Sequence, residues 1–231
     1  MADRPVFLAR TDSSIGVSTK SISFEWFPGF SVSQKQKSIQ SLHVAASANG
    51  IDKILEISSK SPFPIGEELS AFNLKIETKK YKKVFSVECA FQASKVFDNG
   101  GPYVDLLAKT SREAKKDPRI KNSGRLKKFV FFNEEFELVP RTMFYDWLYI
   151  NALSKNKKLS AEVLQYEAFT DIEFNPSKSI NCQAFSAALY VSLVNSNKLS
   201  NALKSSNDFK AVVLDSYRSD ESGLFQKTSH M

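Results

Sequence analysis

The chain has 231 residues, 42% hydrophobic and 25% charged, values ordinary for one large soluble domain or a domain with a small extension. No apolar run reaches the roughly 18 residues a bilayer span needs, and the first ten residues lack a signal-type apolar stretch, so a cytoplasmic protein is expected. The net charge of +7 is concentrated: nine basic and two acidic residues fall between Lys109 and Lys128, and Lys75, Lys79, Lys80, Lys82 and Lys83 surround Glu77.

In chain order, Ile22 to Phe27 reads as a strand ended by Pro28-Gly29. Ser33 to Ala48 reads as a helix, with Ser33 as cap, Ile39, Leu42 and Ala46 at helical spacing, and Asn49-Gly50 as the stop. Ile51 to Ser58 and Leu69 to Glu77 read as strands on either side of a Ser/Pro-rich loop. Ser86 to Phe97 is predicted as one helix, closed by Asn99-Gly100-Gly101 and Pro102. Short basic helices follow through Lys116, then a strand from Lys128 to Phe132. Pro140 opens an apolar helix reaching Leu153, Leu159 to Tyr166 is helical, and Phe169 to Phe174 is irregular or extended. Asn181 to Val194 is a last apolar helix, and the Ser-, Asn- and Lys-rich residues after Leu199 read as a peripheral segment or partly ordered tail. The organisation expected is an extension over residues 1–50 packed on the core, a catalytic domain over 51–198 and a peripheral segment over 199–231.

Cys89 and Cys182 both fall in helical segments, where lone thiols serve as small core residues. His43 and His230 stand at no ligand spacing from cysteines or carboxylates, so no metal is expected, and no nucleophile-elbow motif offers a Ser/His/Asp triad. No cofactor is called for.

The most informative segment runs from Ser86 to Lys95. On a helix, Glu88, Phe91, Gln92 and Lys95 share one face, and a carboxylate, an amide and an amine beside an aromatic ring suit a polar pocket. A merely amphipathic helix with a solvated edge has the same spacing. The helix around Trp147 is apolar almost all round, so Asp146 and Asn151 need partners, and Trp147 either stacks a base or fills core. Asp171, Glu173, Phe174, Lys178, Ser179 and Asn181 lie in a polar loop entering a helix, which is either a phosphate cradle or a plain capped loop. The basic run faces a polyanion or forms a solvated face.

Together these pieces resemble the NADAR family. Glu88 to Lys95, Glu-x-x-Phe-Gln-Ala-x-Lys, is similar to its signature helix, and Leu69-Ser70-Ala71-Phe72-Asn73 looks like its Ser-Asn-Phe element. Arg112-Glu113-Ala114-Lys115 and Gly124-Arg125 resemble its basic middle section, and Asp171 to Asn181 its final site loop, although Phe174 and Asn175-Pro176-Ser177-Lys178 stand where that loop often has Trp and glycines. The wording of Leu55 to Ser61 and Phe144 to Asn151 is similar to the branch paired with DarT-type DNA ADP-ribosyltransferase toxins. The resemblance implies an α+β fold, mainly helical with a small sheet and an N-terminal strand-helix extension. It also implies an antitoxin glycosidase that removes ADP-ribose from guanine in DNA, with the toxin as a further candidate partner. On that footing Glu88, Asp171, Lys60 and Lys95 are the catalytic candidates, and Ser70, Phe72, Asn73, Gln92, Trp147, Glu173, Phe174, Lys178 and Asn181 the substrate-binding ones. Lys115, Lys116, Arg119 and Arg125 are the expected nucleic-acid contacts. The alternatives are an N-glycosidase for small ribose-phosphate metabolites of the riboflavin pathway and a non-catalytic nucleic-acid- or toxin-binding module.

Overall fold

The computed structural model describes residues 1–10, 15–177 and 179–218. Its first elements are β1 (Ala2–Ala9), β2 (Val17–Phe24), α1 (Val32–Ala48), β3 (Ile54–Glu56), α2 (Pro64–Glu68), β4 (Lys75–Glu77) and β5 (Val84–Ser86). The middle contains α3 (Val87–Ala93), β6 (Lys95–Phe97), α4 (Ser111–Lys116), α5 (Arg119–Asn122), β7 (Leu126–Phe131) and β8 (Glu134–Phe136). The rest is α6 (Met143–Lys155), α7 (Lys157–Glu162), β9 (Ala168–Thr170), α8 (Gln183–Asn195), α9 (Leu199–Ala202) and α10 (Ser206–Arg218). This is an α+β fold, mainly helical. Among the described residues the largest sheet has the order β2-β1-β9-β3, and no helix is long and apolar enough to cross a membrane.

Strand β1 is among the elements that sequence reading missed, and the strand expected from Ile22 to Phe27 is β2, which runs from Val17 to Phe24. Strand β1 pairs antiparallel with β2 along its whole length and with β9 at Phe7 and Leu8, while β3 and β9 run parallel. Val6 points into a small core with Ile22, Phe24 and the Ile39, Leu42 and Ala46 stripe of α1; Phe7 points into the main core on the other face. A strand buried on both faces loses the alternation that marks a half-exposed one. Residues 1–50 therefore share one sheet with the residues that follow. Helix α1 lies where predicted, but its cap is Ser31, whose hydroxyl accepts from Gln34 N, rather than Ser33.

Three further differences have physical causes. Leu69 to Leu74 is not extended: Asn73 N and Leu74 N both donate to Ser70 O, while the Ser70 and Asn73 side chains donate to Glu67 O, and strand begins only at Lys75. The helix from Ser86 stops at Ala93 because Lys95–Phe97 is captured as a strand by β7, at Lys95↔Phe129 and Val96↔Lys128. Gly101 makes this possible at φ +92°, since a Cβ there would meet Lys95 O at 2.1 Å. Of the segment expected to be peripheral, residues 199–218 instead form α9 and α10 and insert Phe209, Val213 and Tyr217 into the main core, while 219–231 lie outside the described residues.

Candidate active site

Helix α3 forms one wall of a cavity of about 300 Å³. Ser86 caps it by accepting from Cys89 N. In its first turn, Glu88 is 6% exposed and its backbone N–H donates to Ala71 O. One turn later Gln92 donates from Nε2 to Glu88 Oε1 at 2.8 Å, leaving Gln92 Oε1 buried without a partner. Lys95 reaches the same cavity from β6, its Nζ 4.7 Å from the Phe91 ring centre. Burial lowers the Lys95 pKa to about 8, with Glu88 opposing the shift and Lys115 adding to it. A fraction of this amine is therefore neutral near physiological pH.

The opposite wall follows β9. Asp171 Oδ1 accepts from Glu173 N and Phe174 N, and its Oδ2 accepts from Gln183 Nε2 at 3.0 Å. Behind it Glu56, fully buried at the end of β3, accepts from Thr170 Oγ1 at 2.7 Å and Ile172 N at 2.9 Å. His43 Nε2 lies 2.9 Å from the same Thr170 hydroxyl. Since that hydroxyl donates to Glu56, the imidazole donates to it through Nε2–H. Burial lowers the His43 pKa to about 4, favouring the neutral ring. Burial, then the adjacent Glu56 charge, raises Asp171 to about 8, and burial raises Glu56 as well. Two carboxyls at such close quarters resist ionising together, which favours the protonated form of Asp171.

Glu88, Asp171, Lys95, Ser70, Phe72, Gln92, Glu173, Phe174 and Asn181 all line the cavity, and Asn181 Oδ1 is a second buried acceptor without a partner. Lys60 does not line it, although its neighbour Ser59 does and donates to Glu173 Oε2. Asn73 lies on the far side of Phe72 in a separate cleft. Trp147 is also elsewhere: it packs on Phe136 and Phe131 at 5.0 and 6.2 Å between ring centres. The cavity's aromatic groups are instead Phe72, Phe91, Tyr145 and Phe174. Lys178 and His230 lie outside the described residues.

Sequence reasoning missed Gln183, which ties three walls together: its Oε1 accepts from Ala71 N, and its Nε2 donates to Ile57 O and Asp171 Oδ2. It also missed Glu56 and Tyr145. All three were hidden inside apolar segments, and nothing in their spacing marked them. Among the described residues no three His, Cys, Asp or Glu side chains are grouped to hold a metal ion. A larger, mainly apolar lobe of about 520 Å³ adjoins the cavity, sharing Phe91, Lys95, Ser179 and Asn181 with it.

The basic run divides in two. Lys115 lines the cavity with its Nζ 5.1 Å from the Phe72 ring centre, and Lys116 is exposed nearby. Arg119 is instead held by Asp117 and Asp105, at 2.8 and 2.6 Å, over the Tyr103 ring. Lys127 pairs with Asp98 and Lys128 with Glu135. Arg125 lies beside that same Asp98, to which its backbone N–H donates.

A comparison with curated proteins finds no match. A protein-family model described as the DarT1-associated NADAR antitoxin matches residues 2–223, so it takes in both the N-terminal hairpin and α10 along with both walls of the cavity. With nearly its whole length matched, this chain belongs to the DarT1-associated NADAR antitoxin family.

Proposed function

We propose that the protein hydrolyses the N-glycosidic bond between ADP-ribose and a guanine base in DNA, so reversing the modification made by the toxin with which its family is associated. The observation that carries this reading is the meeting of Glu88 and Asp171 in one cavity, with burial raising the proton affinity of Asp171. Cleaving a ribose–base bond develops positive charge at the anomeric carbon and negative charge on the departing base nitrogen. Glu88 stabilises the first and takes a proton from the attacking water, whose oxygen bonds to the anomeric carbon. The glycosidic electron pair leaves with the base, and Asp171 delivers its proton to the base nitrogen. The products are free ADP-ribose and unmodified guanine. The unpartnered acceptors Gln92 Oε1 and Asn181 Oδ1 match ribose hydroxyls, since a buried acceptor left without a donor costs about 1–3 kcal/mol.

The lowered pKa of Lys95 favours a second route within the same reaction. Its neutral amine attacks the anomeric carbon, expels the base, and the adduct opens to a Schiff base that water resolves. Borohydride trapping separates the routes: a covalent adduct that disappears in Lys95→Arg supports the amine route, and its absence supports activated water. The test of the function itself is incubation with ADP-ribosylated guanine DNA. Release of ADP-ribose is expected, and none with a stable, folded protein overturns the proposal.

A further inference from the structure

The two basic clusters, about thirty residues apart in the sequence, meet across a single cleft. The β4–β5 hairpin brings Lys75 to one wall, and the approach to α4 and its first turn bring Lys109 and Arg112 to the other, around a space of about 490 Å³. Among the described residues none of these three cations forms an ion pair, and all three are exposed. Arg119, Lys127 and Lys128 contrast with them, since Asp105, Asp117, Asp98 and Glu135 neutralise them locally. The cleft is fixed before any ligand arrives: Ser111 Oγ bonds both Phe72 O and Ser86 Oγ at 2.8 Å, and Cys89 Sγ donates to Lys109 O. Phe72 is the partition between this cleft and the catalytic cavity, lining both, with Lys115 over its ring.

We propose that this cleft carries the phosphate backbone of a single DNA strand, delivering one modified base past Phe72 into the catalytic cavity. The proposal rests on the hydrolase reading and adds to it a track for the polymer. Phosphates seek clustered, unpaired Lys and Arg, whereas a cation already matched to a carboxylate has little left to offer. A half-buried ring at the partition supplies a face on which a base stacks. A single strand is the occupant because chemistry on a base requires that base to be out of the duplex stack. The expected contacts in the Arg119 to Arg125 region thereby give way to Lys75, Lys109 and Arg112, one of them from the hairpin.

Two charge-matched variants test this: Lys75→Glu with Arg112→Glu, one residue from each wall, against Lys127→Glu with Lys128→Glu. Binding of an unmodified, fluorescently labelled single strand of roughly twenty nucleotides is titrated over a range of salt concentrations. The cleft variant is expected to bind about tenfold more weakly at low salt, with the salt slope reduced by about 1.4, roughly 0.7 per lost phosphate contact. The control is expected to stay within about twofold. Equal losses in the two variants, or tighter binding of a duplex or of an RNA strand of the same sequence, would overturn the proposal. The readout needs no turnover, so the two readings fail separately. Cleft-dependent binding without ADP-ribose release defeats the hydrolase alone; release from a short modified nucleotide by a cleft variant that still binds DNA normally defeats the track alone.

Discussion

Two aspartates, one buried and one half-buried, set the candidate catalytic cavity apart from the helical junction. Asp146, on α6, is enclosed in the core and accepts hydrogen bonds from Ser186 Oγ on α8 and from Tyr217 on α10 at 2.7 Å. Burial still raises it, to about 6, but the hydroxyl donors oppose the shift. Asp171 also accepts from N–H donors on both oxygens, yet at the edge of an open cavity burial, and then the carboxyl of Glu56 beside it, raise it to about 8. The two differ in their surroundings rather than their chemistry. Closed off and satisfied by hydroxyls, a carboxylate bolts helices together; set against another carboxylate at a cavity edge, it holds a proton it can give away.

The sharpest way to break this contrast is to remove the cavity's carboxylates. Glu88→Gln should lower the rate of ADP-ribose release by several hundredfold or more, within the ~10²–10⁴ range for lost acid–base groups. The melting temperature should not change; an active Glu88→Gln protein would remove Glu88 from the mechanism. Asp171→Asn should cost about a hundredfold and abolish the descending alkaline limb of the pH–rate profile. In the native protein that limb should fall as pH rises through about 8, because the acid must be protonated. An amine route through Lys95 predicts the reverse on the other side: the rate climbs as pH rises toward about 8 and the amine loses its proton. Measuring kcat/KM from pH 6 to 10 decides between them, taking these pKa values as the reference points.

Smaller effects sharpen the comparison. Glu56→Gln removes the carboxyl that stands beside Asp171 from β3, leaving Glu173 as the other acidic neighbour, with His43 behind Thr170. The alkaline limb should then move to lower pH by about one unit, worth roughly 1.4 kcal/mol. An unmoved limb would show that Glu56 does not govern the proton on Asp171. Tyr217→Phe removes one donor from Asp146 and should lower stability by about 1.5–3 kcal/mol in denaturant unfolding, with turnover changed by less than about twofold. A large loss of turnover there would mean that the helical junction and the cavity are not independent.

Much of the site was legible in the chain itself. The Glu88, Phe91, Gln92, Lys95 spacing marked one polar face, and all four side chains do border the cavity, although Lys95 arrives on a strand instead of a helix. Here β7 overrode local propensity, because β6 gains antiparallel ladder bonds along its β7-facing edge. The Phe209, Val213, Tyr217 stripe was also present, at steps of four residues, but a Ser-, Asn- and Lys-rich composition concealed it. Trp147 illustrates the converse: the sequence left stacking and core both open, and it packs half-buried against the core on Phe136 and Phe131.

By itself the sequence determined the family, the helix that presents Glu88 and the amount of positive charge, since each is written in neighbouring residues. Only the tertiary structure decided which carboxylates stand together and which cations remain unneutralised. Glu56 and Asp171 are more than a hundred residues apart and meet because β3 pairs with β9. Lys75 faces Arg112 because a hairpin folds against the first turn of α4. Proton affinity and free charge depend on distance through a low-dielectric interior, and in a folded chain that distance bears no fixed relation to separation along the backbone.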